Sequence, residues 1–240
     1  MVGDEAMKIH GLTVCVDYAE FLRVGLPHWL PGLESLTVVT APRDVATIEL
    51  CAEAGVDVFV TDLFYRDGAA FNKGRAMEAA HSRAWLLKDP GWRLFFDSDV
   101  VPPADWLARL DRNRPQPDRL HGCLRYDATP DALEDRGQAK CAFDVAGVGY
   151  FQLYHSTDPA VQASPLLDCH WTHAGNYDNR FMDRWRKAGK SVQCVPFRVA
   201  HIGERENWFG RGNRAAFDAM KAERVFRAGK WDHERIEVQP

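Results

Sequence analysis

Residues 92–106, WRLFFDSDVVPPADW, hold the stretch on which the fold turns. Residues 93–96 form an apolar run of strand length, too short for a helix. The run ends in Asp97-Ser98-Asp99, whose carboxylates at spacing i, i+2 share one side of an extended segment. Two like charges so placed repel each other. A hard divalent cation between them cancels the repulsion, because carboxylate oxygens suit Mg²⁺ or Mn²⁺. The same pattern also serves turns and helix caps, so a metal role rests on its surroundings. Val100 and Val101 continue the apolar run and Pro102-Pro103 stop it. Pro103 or Ala104 then opens a helix with Trp106, Leu107 and Leu110 on one face.

Upstream, strands and helices alternate. Residues 12–16 are a β-rich run ending at Asp17-Tyr18, and residues 19–30 carry Phe21, Leu22, Leu26, Trp29 and Leu30 at helical spacing. Gly25 and Pro27 weaken that helix. Residues 36–39 form a second strand with Thr40-Ala41-Pro42-Arg43-Asp44 as its exit loop. Asp44 caps a helix running to Ala54 that Gly55 closes, and residues 56–60 form a third strand. Such alternation implies parallel strands joined by helical crossovers, with ligands bound beyond the carboxyl ends of the strands. That rule singles out Asp17, residues 40–44, Thr61-Asp62 and residues 97–99.

Residues 71–88 read as a long helix that starts Phe71-Asn72-Lys73-Gly74-Arg75. Cations at a helix N-terminus oppose the dipole unless an anion is near, so a phosphate site and a pair of surface cations are the alternatives there. Further on, residues 119–124 form a strand, 125–137 a polar loop, and 144–154 a β-like run broken by Gly147 and Gly149. Residues 156–173 are loop-rich. Residues 176–187 return to helix with Tyr177, Phe181, Trp185 and Ala188 on one stripe, Asp178 in the first turn and Gly189 as the stop. Residues 191–199, interrupted by Pro196, deliver His201, and residues 213–228 form an amphipathic helix.

The 240 residues suffice for one large α/β domain, and 46% hydrophobic with 27% charged residues is the balance of a globular protein with a full core. No apolar run reaches membrane-span length and the first ten residues lack a hydrophobic signal core, so a cytoplasmic location is expected. Six scattered cysteines without paired spacing read as reduced thiols rather than a disulfide frame. Cys169, His170 and His173 lack the second ligand pair of a structural zinc site. The net charge of −4 conceals a basic segment, residues 180–230, with 13 Lys and Arg against 5 Asp and Glu. It suits phosphates, or is a solvated helical face.

Taken in order, these stretches resemble the GT-A nucleotide-sugar glycosyltransferases, in particular the large inverting family 2 with features of the galactosyltransferase branch. Asp97-Ser98-Asp99 after its strand resembles the family's D-x-D, and Phe71-Asn72-Lys73 resembles its F-N-R segment. Asn176-Tyr177-Asp178, followed by Arg180 and Gly189, resembles the acidic helix start that carries the catalytic base. His201 resembles the histidine that completes metal coordination. The resemblance spans residues 11–211, with two departures. Asn176 stands where the pattern has Glu, and residues 40–43 stand where many members carry an acidic residue that reads the nucleobase.

The resemblance implies an α/β GT-A, Rossmann-like single domain over residues 1–240, with a mostly parallel central sheet and flanking helices. Residues 11–110 would bind the nucleotide sugar, 115–211 would serve acceptor and catalysis, and 212–240 would be a C-terminal helix and tail. It implies a donor site, for a UDP-sugar above others, of Val16, Asp17, Thr40, Arg43, Phe71, Lys73, Asp97 and Ser98. Mn²⁺ or Mg²⁺ would be held by Asp97, Asp99 and His201, with Asp178 as general base. Trp171, Asn207, Trp208 and Arg211 are candidate acceptor contacts, since aromatic faces stack on sugars or bases. The acceptor is left open among a small molecule, a lipid-linked or capsular saccharide, a protein and a hydroxylated base in DNA, the last suggested by the basic segment. Two other readings remain: a sugar-phosphate nucleotidyltransferase, whose glycine-rich basic loop is missing from residues 15–19, and a nucleotide or nucleic-acid binding module using the basic segment.

Overall fold

The computed structural model describes residues 7–85, 90–133, 149–170, 173–175, 177–204 and 210–211. Its elements run β1 (Ile9–Val14), α1 (Ala19–Trp29), β2 (Ser35–Thr40), α2 (Val45–Ala54), β3 (Asp57–Val60), α3 (Lys73–Trp85), β4 (Trp92–Asp97), β5 (Val100–Val101), α4 (Trp106–Asn113), β6 (His121–Asp127), β7 (Gln152–His155), α5 (Tyr177–Lys187) and β8 (Gln193–His201). One eight-stranded sheet, ordered β3-β2-β1-β4-β7-β6-β8-β5, contains every strand among the described residues. The first four strands are parallel. β7 then pairs antiparallel with both β4 and β6, β6 and β8 are parallel, and β5 closes the row antiparallel to β8.

Adjacent side chains on a strand face opposite layers, and the neighbours Phe95 and Phe96 go to different cores accordingly. On one face Phe96 and Phe151 pack with Leu22, Leu26 and Trp29 of α1, Leu50 of α2, and Trp106 and Leu110 of α4. On the other, Phe95 and Tyr154 pack with Met77 and Ala80 of α3 and with Phe181 and Trp185 of α5. Burying side chains of this size contributes about 1.5–3 kcal/mol each, which is what fixes the helices to the sheet.

Three local expectations change. Helix α1 runs through Gly25 and Pro27. Gly25 is used for close packing, since a Cβ there would stand 3.3 Å from the Val100 carbonyl oxygen. Strand β6 extends to Asp127 where a polar loop from residue 125 was expected, because Leu124, Arg125, Tyr126 and Asp127 pair in register with residues 198–201 of β8. Pro196 lies inside β8 at a register shift opposite Gly122/Leu124, where a residue without an N–H is accommodated. The expected helix at residues 213–228 lies outside the described residues.

Candidate active site

The carboxyl ends of β1, β2, β4, β6 and β8 meet the start of α3 and of α5, and the polar residues singled out above collect there. At β2, Asp44 caps α2 by accepting from the Thr47 amide at 3.1 Å. Its carboxylate also takes the Asp17 amide at 2.7 Å, the Thr47 hydroxyl at 2.7 Å and the Thr40 hydroxyl at 3.2 Å. One buried acid thereby ties the exit of β1 to the exit of β2. Above it, Arg43 donates to Asp17 at 2.8 Å and to the Tyr65 hydroxyl at 3.0 Å, and its guanidinium lies 5.3 Å from the Tyr65 ring centroid. Asp17 holds a left-handed φ of 60°. Val16 and Phe71 are buried in the core, with Phe71 stacked on Phe64 at 5.1 Å.

Helix α3 brings its cations to carboxylates. Asn72 accepts the Arg75 amide at 2.9 Å and donates to the Cys169 carbonyl at 2.8 Å, which docks the loop before α5 onto the helix start. Arg75 pairs with Asp67 at 2.8 Å. Lys73 is buried, donates to Asp97 Oδ1 and lies 5.0 Å from the Tyr177 ring centroid. Burial pulls the Lys73 pKa down, but the Asp97 charge more than offsets it and the ammonium stays above its usual range. Burial likewise pushes Asp97 up, and the Lys73 charge and hydrogen bond, with Arg125 and His201 beyond, leave it below the usual carboxylate range.

The Asp-Ser-Asp segment is a turn between β4 and β5, so its carboxylates address different partners. Ser98 is buried. Asp99 lies over Gly203, where any Cβ would run into its carboxylate. Asp99 Oδ2 stands 3.5 Å from His201 Nε2, and Asp127 Oδ1 accepts from His201 Nδ1 at 3.2 Å. Burial lowers the His201 pKa, while Asp99 and Asp127 outweigh it and raise it.

Asp178 opens α5 and is buried. It accepts from the Gly149 amide at 3.0 Å and the Asn179 amide at 2.8 Å. Burial raises its pKa despite those donors, and the Asp97 charge adds to the rise. The half-buried Asp97 and the buried Asp178 are thus pushed in opposite directions, the pattern that separates a group held ionised from one able to take a proton.

Asp97, Asp99 and His201 fit a divalent ion by donor type, two hard carboxylates and an imidazole. Nδ1 of that imidazole is engaged by Asp127, leaving Nε2 toward Asp99. Among the described residues no three such groups are already drawn around one point.

Of the acceptor candidates, Arg211 is described, and it pairs with Glu20 and Glu204, donates to the Asp17 carbonyl at 3.0 Å and stacks over Tyr18 at 4.7 Å. Trp171, Asn207 and Trp208 lie outside the described residues, as does Asn176. Sequence reasoning missed Asp44 as a hub, Tyr177 as a partner of Lys73, and Arg125 and Asp127 as site residues. The i, i+2 spacing of Arg125 and Asp127 at a strand end was the available signal.

A sheet with four parallel strands on one side, a mixed set on the other and its polar site along their carboxyl ends has the GT-A architecture. Known structures share it. A Mycobacterium tuberculosis glucosyl-3-phosphoglycerate synthase in complex with Mn²⁺, UDP and glucosyl-3-phosphoglycerate superposes with a TM-score of 0.54 and 13% identity, over 82% of this chain and 73% of that one. Its complex with Mg²⁺ and UDP gives 0.54 and 12% over 90% and 79%, and a mycobacterial protein gives 0.57 and 13% over 89% and 73%. No protein-family model and no curated protein matches the sequence. At this identity the likeness is one of fold.

Proposed function

We propose that this chain is a metal-dependent glycosyltransferase that moves a sugar from a nucleoside diphosphate sugar, a UDP-sugar above others, to an acceptor hydroxyl with inversion. The observation that carries the proposal is the meeting of Asp97, Asp99, His201, Lys73 and Asp178 at the carboxyl edge of a GT-A sheet. The Mn²⁺, Mg²⁺ and UDP complexes of the structural neighbours support it. In this reading residues 11–110 bind the donor and 115–211 serve acceptor and catalysis.

Leaving-group departure puts charge on a diphosphate, and Lys73 is the cation already fixed beside Asp97. Asp97, Asp99 and His201 would hold Mn²⁺ or Mg²⁺, with the imidazole favouring Mn²⁺, and the ion would supply Lewis-acid stabilisation of the leaving group. Asp178, with its raised pKa, takes the acceptor hydroxyl proton as general base. Asp17, Arg43 and Tyr65 form the nucleoside end, where Asp44 organises the loops. The acceptor class is a saccharide or a hydroxylated base in DNA. A cytoplasmic location goes with this reading and with the free thiols at Cys15, Cys51, Cys123, Cys169 and Cys194.

The test is to incubate the protein with a panel of nucleotide sugars and Mn²⁺ and to measure nucleotide released. Release that a chelator abolishes is expected. Silence across the panel, with and without chelator, overturns the proposal.

A further inference from the structure

We propose that Asp127 is a positioning residue of the metal centre, fixing the ring orientation of His201 so that Nε2 faces Asp99; this rests on the glycosyltransferase reading above. Strands β6 and β8 are parallel and their register sets Asp127 opposite His201. The Ala128 amide donates to the His201 carbonyl at 2.9 Å, which closes the backbone of that pair. Asp127 Oδ1 then meets His201 Nδ1 at 3.2 Å, while Nε2, on the other side of the ring, stands 3.5 Å from Asp99 Oδ2. The imidazole is 8% exposed and the Asp127 side chain 32%, so the carboxylate sits at the rim and the ring inside.

A neutral imidazole has one N–H and one lone pair, and an ionised carboxylate can only accept. Facing Asp127, Nδ1 therefore donates to that side, and the ring is turned so that Nε2 is the nitrogen directed at Asp99, where a cation placed between them would take its lone pair. A carboxylate on the far nitrogen fixes the ring of a ligating histidine and raises its basicity, and loss of such a partner typically weakens metal binding about 10–100-fold. The competing role for Asp127 is that of an ordinary partner in an ion pair joining two strands. That role predicts lost stability and unaltered metal affinity in the molecules that remain folded.

The experiment uses the full chain as wild type, Asp127→Ala, His201→Ala and the double variant. Mn²⁺ binding is followed by electron paramagnetic resonance with saturating UDP, and UDP binding without metal and thermal unfolding are measured alongside. Asp127→Ala should bind Mn²⁺ roughly 10–100-fold more weakly, with metal-free UDP affinity unchanged. The double variant should be no weaker than His201→Ala, because Asp127 acts through the ring. Wild-type affinity in Asp127→Ala overturns the proposal, as does a further tenfold loss in the double variant, which would make Asp127 a ligand in its own right. A wild type that takes up no Mn²⁺ removes the metal reading itself and the positioning role with it. Nitrogen-15 shifts of His201 in the metal-free wild type give a measurement that needs no variant. A proton on Nδ1 is expected, and a neutral ring protonated on Nε2 overturns the assignment.

Discussion

The parallel half of the sheet, β3-β2-β1-β4, and the mixed half, β7-β6-β8-β5, hold their polar residues by different means. In the parallel half Asp44 takes two backbone amides and two hydroxyls, so the hub is built from groups that carry no charge of their own, with the exposed Arg43–Asp17 pair above it. In the mixed half His201 stands between Asp99 and Asp127, and charges are set against charges. Asp97 and Asp178 flank the seam. The difference teaches that one side is a scaffold whose removal costs stability, whereas the other gathers two carboxylates on one imidazole, the charge arrangement on which the proposed metal role rests.

The largest effect should come from the seam. Asp178→Asn keeps the shape and an acceptor for the Gly149 amide but removes the proton acceptor. Nucleotide-sugar turnover with acceptor should fall roughly 10²–10⁴-fold in kcat, with UDP binding and thermal stability near those of the wild type. Turnover within threefold of wild type would return Asp178 to a helix-end carboxylate and dissolve the contrast with Asp97.

Asp44→Ala should act in the opposite sense, on stability first. Loss of the cap costs about 1 kcal/mol, and the Thr47 hydroxyl and Asp17 amide left without their acceptor add about 1–2 kcal/mol. A loss of about 2–3 kcal/mol in urea unfolding is expected. If unfolding is unchanged, the parallel half does not rest on this hub.

The legibility of the chain follows the same division. Strands β1 to β4 and helices α2 and α3 are local events: short apolar runs, an Asp cap, a Gly stop, a crossover of fixed length. They and the Asp97, Lys73 and Asp178 positions can be read from the sequence for that reason. The extension of β6 to Asp127 cannot, since Arg125 and Asp127 look like loop residues until β8 supplies 73 or 74 residues later the partner that makes them strand. Arg43 and Arg211 read as ligand-facing cations because their partners Asp17, Glu20 and Glu204 are remote in sequence or exposed. Tyr177 read as a core stripe residue. Its ring does pack in the core, and only the meeting of α3 with α5 reveals Lys73 beside it.

A pH experiment sharpens the scaffold side. His81 on α3 packs edge-on against Phe95, and burial, with the Arg93 charge adding, lowers its pKa from 6.5 to about 4. The unfolded chain therefore binds more protons than the native one between those values. The histidine's contribution is complete above pH 6.5 and is lost as pH falls toward 4. About 2 kcal/mol should disappear between pH 7.5 and 5, and His81→Leu should lack that part of the slope. His201, with its raised pKa, bears on stability with the other sign, so an unaltered slope in His81→Leu would move the acid sensitivity out of the parallel half.

The smallest effect lies where the two halves are joined at the rim. Arg211 reaches from beyond β8 to Glu20 and to the Asp17 carbonyl beside β1, with its guanidinium over Tyr18 and Phe21. Those partners are partly exposed, with the Glu20 side chain at 53%, so solvent screens the charges and the strap contributes about 0.5–1 kcal/mol, chiefly through the stacked guanidinium. Arg211→Lys keeps the charge and loses the planar fork that donates to the Asp17 carbonyl and to both acids at once. Thermal unfolding should shift by no more than a few degrees, while the donor KM rises a few-fold because the Asp17 loop is less firmly held. An unchanged KM together with a raised acceptor KM would instead make Arg211 an acceptor contact and place the seam between the halves one loop further out.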